Sequence, residues 1–384
     1  MTPTSRHALV IGAGIGGLTA AAALAQRGWT VQLHERDPEI RAIGAGIYLW
    51  SNGLSVLRAL GVFDEAVEGA HLGPVLESRD RRGRVVESIP INGSGGPELY
   101  TILRRKLIDA LAGAAIRAGV EIINGSAAVA ASPAGEVEFA DGSRRRGDLV
   151  VAADGVNSRL RDSLGLLRRR VHMPQGAARM LIARRPGFVA AEDEAKYIEY
   201  FPGSRRILYT PSSADRLYVA LVCSTGDAAA QRTPLDKDTW LRSFPLLEDL
   251  IGDLGAESRW DRFEYLELRR WSAGAVAVLG DAAHAQPPYL GQGGGCAMMN
   301  ALGLAEAVTF GEGGLEARLR RWEAAERPVI QHTQRFSYRL GHLNPLPDRP
   351  RAALLALMNH SRALARMRMR AATTVPTGMT RFPA

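Results

Sequence analysis

The sequence predicts an α/β fold in which a Rossmann-like domain is interrupted by a mixed β-sheet domain and followed by a helical tail. Three observations predict it. A buried strand runs into a glycine-rich turn and an alanine-rich helix within the first 27 residues. Strand-like segments rich in Tyr, Ile, Leu and Val, without helical periodicity, occupy the region from Ala178 to Cys223. From about Arg327 the pattern is helical and is broken by prolines.

Length and composition suit such a fold and exclude several others. The 384 residues exceed one ordinary core, and 46% hydrophobic and 23% charged residues are typical of a globular chain. Two cysteines, Cys223 and Cys296, provide neither a disulfide framework nor a four-thiolate metal site, so we expect no metal and a cytoplasmic location. The segment from Ala8 to Gln26 is uncharged and mostly apolar, but its glycines favour a strand, turn and helix over a membrane span or a signal peptide.

The net charge of +8 raises the question of nucleic-acid binding. Nine arginines and one acid lie between Arg335 and Ala384, so the remaining residues balance to zero. No stripe of basic and aromatic residues crosses the body of the chain. The sequence therefore predicts a basic surface tail, with neither a nucleic acid nor a membrane as partner.

The first motif is a glycine turn between the opening strand and helix, followed by a second strand that ends in an acid. In such a unit the first glycine permits a tight turn, the second lets the backbone approach a pyrophosphate, and the third allows the helix to pack closely on the strand. The acid is spaced as a ligand of the adenosine ribose. The motif predicts dinucleotide binding, and its candidate residues are Gly12, Gly14, Gly17, Glu35 and Arg36.

Two later segments indicate which dinucleotide binds. A buried strand leads into Asp154-Gly-Val-Asn-Ser-Arg-Leu-Arg161, and another leads into Gly280-Asp281 and the glycine run Gly291–Gly295 at the start of a helix. A carboxylate at a strand end can accept hydrogen bonds from a ribityl hydroxyl, and glycines that open a helix present amides and a positive dipole end to an anion. A reduced flavin is such an anion, whereas a nicotinamide cofactor needs no second site of this kind. These segments favour FAD.

Together, the motifs at Gly12–Gly17, Asp154–Arg161 and Gly280–Gly295 resemble those of the single-component flavin-dependent aromatic hydroxylases. Within that family, segments beginning at Gly44 and Arg206 are similar to 2-methyl-3-hydroxypyridine-5-carboxylate oxygenase. The resemblance implies an FAD-binding domain of the p-hydroxybenzoate-hydroxylase type with an inserted substrate domain. We expect the FAD domain over residues 1–75, 100–170 and 270–330, the substrate domain over 76–99 and 171–269, and a C-terminal helical segment over 331–384.

The resemblance also implies an activity. NAD(P)H would reduce FAD, O2 would form a flavin C4a-hydroperoxide, and one oxygen atom would pass to an electron-rich ring. We expect a small aromatic acid as the substrate, a hydroxypyridine carboxylate first, with ring opening after hydroxylation left open. A homodimer is one expected assembly.

Three alternatives remain from the sequence. The first is a flavin hydroxylase of a benzenoid acid such as salicylate, or of a larger ring. The second is an FAD-dependent dehydrogenase or reductase of the same fold. The third is a non-enzymatic dinucleotide sensor, which leaves the glycine run at Gly291–Gly295 unexplained.

By resemblance, further residues surround the flavin. Small residues near the isoalloxazine let the ring move, arginines contact it, and glycine amides stabilise its negative charge. Pro288 is a catalytic candidate, because it would wall the ring on the side where oxygen adds. The expected cofactor residues are Arg41, Gly44, Ala45, Gly46, Arg104, Asp154, Asp281, Gly291, Gly293, Gly294 and Gly295.

The substrate contacts follow in part from a predicted hairpin. If Tyr209 pairs with Asp215 across the turn, Arg206 faces Tyr218 on one surface of the sheet, while the other surface is apolar. A sheet that packs one face and lines a pocket with the other has this pattern. We therefore expect Arg206 to bind the substrate carboxylate and Tyr218 to orient the ring.

The resemblance adds Tyr48 and Arg179 as substrate residues, and makes Tyr48 and Tyr218 catalytic candidates. Where the related oxygenase has a tyrosine in its pocket, this sequence has Leu76. The missing phenol indicates a related but different substrate, such as an isomeric hydroxypyridine carboxylate, of which hydroxynicotinate is one.

Overall fold

The computed structural model describes residues 6–41, 45–93, 97–201, 203–255, 259–343, 346–347, 350–351, 353–354, 357 and 361–379. Its strands are β1 (His7–Ile11), β2 (Thr30–His34), β3 (Gly46–Trp50), β4 (Val75–Asp80), β5 (Val85–Pro90), β6 (Leu99–Leu103), β7 (Glu121–Ile123), β8 (Ala128–Ala131), β9 (Glu136–Phe139), β10 (Arg144–Arg146), β11 (Leu149–Ala152), β12 (Leu167–Ala183), β13 (Tyr197–Phe201), β14 (Arg206–Pro211), β15 (Arg216–Ser224), β16 (Trp260–Leu268), β17 (Ser272–Ala273) and β18 (Val276–Val278). Its helices are α1 (Ile15–Ala25), α2 (Ser51–Ala59), α3 (Phe63–Val67), α4 (Arg104–Arg117), α5 (Arg159–Ser163), α6 (Lys237–Leu241), α7 (Glu248–Gly252), α8 (Asp281–His284), α9 (Gly293–Phe310), α10 (Leu315–Leu343) and α11 (Arg362–Met369).

The first sheet has the strand order β17-β18-β11-β1-β2-β7, and all its pairs are parallel except β17 with β18. The strands predicted before the glycine turn, Glu35, Asp154 and Gly280 are confirmed and lie side by side in it. Because parallel strands end at the same edge of a sheet, the residues that follow β1, β2, β11 and β18 meet there. These are the glycine turn, Glu35, Asp154 and Asp281.

Helix α1 is buried along most of its length because it packs between this sheet, α4 and α9. Ten of its eleven residues are buried, and most of them are alanine, glycine or leucine. Small side chains let neighbouring elements approach closely, so this composition suits a central helix. The start of α9, where the second glycine run lies, is thereby brought beside the first glycine turn.

The second sheet has the order β16-β12-β15-β14-β13-β4-β5, with β13 and β4 parallel and the other pairs antiparallel. The strands predicted between Ala178 and Cys223 are confirmed. One face packs on α6 and α7 through a buried cluster that includes Ile207 and Trp240. The opposite face touches the β3 region, where Leu208 packs near Ala45. This second face is the one that can line a pocket between the sheets.

The predicted register of the β14–β15 hairpin is wrong. Arg206 pairs with Val222, four residues further along β15 than the predicted partner, and Tyr218 pairs with Thr210. The turn is shorter than predicted, because Pro211 still belongs to the strand and the amide of Ser212 bonds to the carbonyl of Arg216. Arg206 and Tyr218 keep a common face because the shift is an even number of residues, but they lie about 13 Å apart along the strands.

The C-terminal helix begins earlier than predicted. The predicted start near Arg327, together with the adjacent Pro328, lies inside α10, which extends from Leu315 to Leu343. A proline removes one helical hydrogen bond at a cost of about 3 kcal/mol. Burial of Leu319, Trp322 and Ile330 on the other side of the helix offsets that cost. Among the residues that the structure describes, no helix combines the length and apolar character needed to cross a bilayer.

Candidate active site

The first part of the site is the turn between β1 and α1. Gly12 has a φ of +102°, and a Cβ on it would lie 2.5 Å from the carbonyl oxygen of Ala153. A Cβ on Gly17 would overlap the carbonyl oxygen of Gly12, so this glycine lets α1 pack against the turn. A Cβ on Gly14 would meet no atom within 4 Å. Gly14 therefore faces open space, where a ligand can approach the backbone.

Glu35 lies beside this turn, at the end of β2. Its Oε2 accepts a hydrogen bond from the amide of Ala13 at 2.8 Å, and its Oε1 accepts one from the amide of Asp37 at 3.1 Å. Each carboxylate oxygen has a further lone pair, so both can still accept a ribose hydroxyl. Arg36 is exposed, and Arg41 is half-exposed with its Nη2 at 3.7 Å from Oδ1 of Asp37.

Two carboxylates follow the neighbouring strands β11 and β18. Oδ2 of Asp154 accepts a hydrogen bond from the amide of Leu160 at 3.4 Å, while its Oδ1 is buried without a hydrogen-bond partner among the described residues. Burial raises the pKa of Asp154. Asp281 is exposed and follows Gly280, whose φ of +63° and ψ of −146° suit glycine. Both carboxylates lie at the edge that ends in the glycine turn.

The glycine run Gly291–Gly295 opens α9. A Cβ on Gly291, Gly294 or Gly295 would lie 3.2, 2.8 or 2.6 Å from a side-chain atom of β3 or α2. A Cβ on Gly293 would have its nearest neighbour at 3.8 Å. The first turn of α9 thus packs its backbone closely on β3, and side chains do not shield its amides. Pro288 lies just before it, at the start of the short helix Pro288–Leu290.

Another group of predicted residues meets where β3 approaches the second sheet. Ala45 packs against Tyr218, and a Cβ on Gly46 would lie 3.0 Å from Cβ of Tyr218. The amide of Arg104 donates a hydrogen bond to the carbonyl of Ala45 at 3.1 Å. Arg179 bonds to the Tyr218 hydroxyl, and burial raises the pKa of this tyrosine.

Arg104 in this group is partly buried, and burial lowers its pKa, while the nearby carboxylate of Asp281 acts in the opposite direction. The structure therefore brings Arg104 near Asp281 at the edge of the first sheet. Gly44, also predicted near the flavin, lies outside the described residues.

These residues fit FAD. The groove offers a turn at Gly14 with open space in front of it and a second glycine turn at Gly293. It also holds a buried carboxylate oxygen of Asp154 that lacks a donor within the described part of the chain. Hydroxyl-bearing and phosphate-bearing parts of a dinucleotide supply the donors and the anion that such groups lack.

A cavity lies between the second sheet and the segment that precedes α9. Tyr48, Arg206, Pro288 and Leu76, all named from the sequence, line it. Tyr218 and Arg179 do not line it, because the hairpin register places Tyr218 opposite Thr210 beside Gly46. The remaining lining residues are Trp50, Glu77, Ser78, Glu87, Ile89, Tyr197, Ile198, Glu199, Leu208, Tyr289, Leu290, Gly291, Gln292, Arg368 and Met369.

Both arginines of the cavity face a carboxylate. Arg206 forms an ion pair through Nη2 with Oε1 of Glu199, and its guanidinium lies 4.8 Å from the ring of Phe201 and 5.0 Å from that of Tyr289. Arg368 of α11 pairs with Glu87 at 2.7 Å. The expected carboxylate anchor, Arg206, thus has an intramolecular partner already.

Tyr48 joins the cavity to the sheet behind it. Its hydroxyl lies 2.8 Å from Oγ1 of Thr210, and its ring makes an edge contact with Tyr197 at 5.4 Å. Burial raises the pKa of Tyr48 well above its usual range, so the phenol is neutral at physiological pH. Trp50 donates its ring N–H to the carbonyl of Leu290 at 3.2 Å.

Several lining residues escaped the sequence interpretation. Glu199 is the charged residue in the strand Tyr-Ile-Glu-Tyr-Phe, and alternation places it on one face with Tyr197 and Phe201. That isolated carboxylate in an otherwise apolar strand could have identified Glu199 as a candidate site residue. Arg368 and Met369 had none, because only the path of the tail over the cavity brings them there.

The fold combines a Rossmann-like sheet that bears a dinucleotide groove with a second sheet that closes a cavity beside it. This combination defines a two-domain flavoprotein. The sequence family described as an FAD binding domain matches residues 6–337, and this chain belongs to that family. It is a flavin-dependent monooxygenase, with FAD as cofactor and NAD(P)H and O2 as co-substrates.

Three relatives are similar over nearly the full chain. A Rhodococcus erythropolis protein assigned provisionally as a 2-heptyl-3-hydroxy-4(1H)-quinolone synthase is 51% identical over 99% of both chains. The 2-heptyl-3-hydroxy-4(1H)-quinolone synthase of Mycobacteroides abscessus is 49% identical over 94% of this chain and 97% of its own. The structure of a tetrameric form of 2-methyl-3-hydroxypyridine-5-carboxylic acid oxygenase has a TM-score of 0.87, at 36% identity over 97% of both chains. The predicted family and fold class are confirmed.

Proposed function

We propose that this monooxygenase hydroxylates C3 of a 2-alkyl-4(1H)-quinolone, a neutral bicyclic N-heteroaromatic ring. The observation that carries the proposal is that both arginines lining the cavity are paired with carboxylates, Arg206 with Glu199 and Arg368 with Glu87. Two relatives with about half their residues in common with this chain are named for the 3-hydroxylated heptyl quinolone.

The charge of the cavity favours a neutral ring over an aromatic acid. An acid would add a negative charge beside Glu199 and Glu87, and Arg206 would have to leave its partner to bind it. Breaking a buried ion pair by drawing away one partner costs several kcal/mol. A neutral ring enters without that cost.

The apolar wall of the cavity favours an alkyl substituent. Trp50, Leu76, Ile89, Tyr197 and Met369 belong to one hydrophobic cluster, and all five line the cavity. Each buried methylene contributes about 0.8 kcal/mol to binding of a chain laid along such a wall. Leu76, where the sequence comparison led us to expect a lost phenol, adds apolar surface to this wall.

The groove residues would hold FAD, which supplies two-electron reduction of O2 and transfer of one oxygen atom. We propose that Gly14 faces the pyrophosphate, that Glu35 holds the adenosine ribose, that Asp154 and Asp281 hold the ribityl hydroxyls, and that Ala45, Gly46 and Arg104 border the ring system. The amides of Gly293–Gly295 would stabilise negative charge on the ring, since helix N-termini attract anions. Gly12, Gly17 and Gly291 allow the backbone conformation around these residues. Pro288 excludes water from one face of the ring system.

A second substrate class has a specific observation in its favour. The match to 2-methyl-3-hydroxypyridine-5-carboxylic acid oxygenase supports a hydroxypyridine carboxylate. Its carboxylate would then bind Arg179, which bonds to Tyr218 and pairs with no carboxylate within the described residues.

Turnover of matched substrates distinguishes these proposals. The purified holoenzyme would be supplied with NADH or NADPH and with 2-heptyl-4(1H)-quinolone, 6-hydroxynicotinate, 2-methyl-3-hydroxypyridine-5-carboxylate or salicylate. We expect the quinolone to gain one oxygen atom, with close to one product formed per NAD(P)H, and the acids to be poor substrates. Efficient hydroxylation of an acid and none of the quinolone would refute the proposal.

We propose a cytoplasmic location, because NAD(P)H is supplied there, and a homodimer as the predicted assembly. Fractionation of cells would test the first, and sedimentation of the holoenzyme would test the second.

A further inference from the structure

We propose that Glu199 is a catalytic base that accepts the ring N–H of the quinolone and takes its proton as oxygen is added at C3. The proposal rests on the proposed function and assigns a role to one residue of the same cavity. Arg206, which pairs with Glu199, is then a positioning residue that keeps the carboxylate ionised.

Glu199 is placed as a base should be. Alternation along β13 directs it to the cavity face of the second sheet, opposite Leu208 on β14 and Ser78 on β4. A quarter of its side-chain surface, 26%, remains accessible, and Glu199 belongs to the cavity lining. The accessible part of the carboxylate is therefore open to a ligand in the cavity.

The carboxylate is also short of hydrogen-bond donors. Oε1 of Glu199 is buried and contacts Nη2 of Arg206 as an ion pair, and it has no hydrogen-bond partner within the described residues. Nε of Arg206 is likewise buried without a partner in the described part of the chain. The other oxygen, Oε2, is not buried and accepts no hydrogen bond from the described residues, so it is the acceptor that a donor on the substrate can reach.

The other two carboxylates of the cavity, Glu77 and Glu87, are different. Glu77 is paired with Arg79 and Lys196, and 8% of its side chain is accessible. Glu87 accepts hydrogen bonds from Arg368 at 2.7 Å and from Ser78 at 3.3 Å, and only 3% of its side chain is accessible. Its acceptors are occupied by the protein itself. Glu199 is thus the cavity carboxylate available to a ligand.

Burial strengthens Glu199 as a base. Burial raises the pKa of Glu199, while the cations of Arg206 and Arg368 act in the opposite direction. Because burial is the larger influence, the carboxylate is more basic than an exposed one. General bases work best when their pKa approaches the working pH.

The chemistry of the quinolone needs such a base. The ring is a vinylogous amide in which the nitrogen lone pair reaches C3 through the C2–C3 double bond. As C3 forms its bond to oxygen, the N–H proton moves to Glu199, so the ring does not carry a positive charge. The C3 proton is then released to water and the nitrogen recovers its proton from Glu199. Overall C3–H becomes C3–OH, the second oxygen atom leaves as water, and NAD(P)H supplies the two electrons.

The test combines one substrate change with one residue change. Wild-type holoenzyme and Glu199→Gln would each be assayed with 2-heptyl-4(1H)-quinolone and with its 1-methyl analogue, which has no N–H. We expect wild type to prefer the N–H substrate strongly, and Glu199→Gln to lose roughly 100-fold in kcat on it, the ordinary contribution of a general base. The preference for N–H over N-methyl should largely disappear in the variant.

The pH profile separates a base from a structural residue. The kcat of wild type should rise with pH as Glu199 ionises. This rising limb of the pH profile should be absent in Glu199→Gln and retained in Glu199→Asp. Arg206→Met should shift the limb to higher pH, because removal of the cation raises the pKa of the carboxyl. Glu264→Gln is the matched control, since Glu264 also pairs with an arginine of the second sheet but does not line the cavity.

The outcomes are distinguishable. FAD content and circular dichroism establish that each variant folds, and Glu199→Asp preserves the test where the glutamine variant does not fold. Wild-type activity with an unchanged N–H preference and pH limb in Glu199→Gln overturns the role of Glu199 alone. Failure of wild type to bind or hydroxylate any quinolone overturns the proposed function, and the role of Glu199 with it.

Discussion

The hydroxyl groups of Tyr48 and Thr210 lie 2.8 Å apart and form a hydrogen bond between β3 and β14. Tyr48 lines the cavity, and Thr210 is fully buried. The bond therefore ties the strand that borders the cofactor groove to the sheet that forms the cavity. Movement of one sheet relative to the other would break it.

We expect Tyr48→Phe and Thr210→Val each to lower the free energy of unfolding by about 1 kcal/mol, the ordinary value of one buried hydrogen bond. Each substitution should also lower the amount of product formed per NAD(P)H, since the substrate ring is then held less well. The double variant should lose little more than either single one, because both remove the same bond. Additive losses in urea unfolding would show that the two hydroxyls act separately.

The glycine turn gives a second prediction. Gly17→Ala should destabilise the protein, because its Cβ would overlap the carbonyl oxygen of Gly12. Gly14→Val should leave the unfolding free energy nearly unchanged, because a Cβ at Gly14 meets no atom within 4 Å. It should nonetheless prevent FAD binding, since the new side chain occupies the space proposed for the pyrophosphate. A yellow Gly14→Val protein would contradict the proposed position of the cofactor.

Asp281→Ala should weaken FAD binding without unfolding the chain. Asp281 is exposed at the end of β18, and a charge-assisted hydrogen bond to a hydroxyl contributes about 1.5–3 kcal/mol. The dissociation constant of FAD, measured by quenching of flavin fluorescence, should rise by roughly 10-fold to 150-fold. Asp215→Ala, at an exposed turn of the other sheet, is the control. Equal FAD affinity in both variants would remove Asp281 from the proposed site.

The first sheet could be predicted from the sequence because its evidence is local. The turn at Gly12, the acid at Glu35 and the acid at Asp281 each follow a buried strand, and parallel pairing brings strand ends together. The register of the β14–β15 hairpin could not be predicted from the sequence, because it depends on where the turn begins. The predicted turn includes Pro211, whereas in the structure Pro211 pairs with Leu217 in the ladder.

The cavity was predictable only in part, because its walls come from distant segments. The face of β14 that carries Arg206 followed from alternation, but its partner Glu199 comes from another strand. Arg368 and Met369 reach the cavity only because the tail crosses it. Charge pairing between such distant segments leaves no pattern in the sequence. This pairing is the reason that we propose a neutral ring as the substrate in place of an aromatic acid.

The last prediction concerns Glu326, a buried carboxyl on α10 that contacts the C-terminal segment. Oγ1 of Thr377 donates a hydrogen bond to its Oε1 at 2.8 Å, and 4% of the residue is exposed. Burial raises the pKa of Glu326 from 4.5 to about 7, against the opposite effect of the Thr377 hydroxyl. The folded chain therefore keeps a proton at pH values where the unfolded chain has lost it. Stability from this group is fully present below pH 4.5 and is lost as the pH rises to about 7.

We expect Glu326→Gln, which cannot ionise, to remove this dependence. Its unfolding free energy in urea should exceed that of wild type by up to about 3 kcal/mol at pH 8, and the two should converge near pH 5. Glu316→Gln, on the same helix but exposed and paired with Arg320, should show no such difference between the two pH values. A constant gap between wild type and Glu326→Gln across this range would mean that the carboxyl does not titrate there, and that Thr377 binds it as an ionised group.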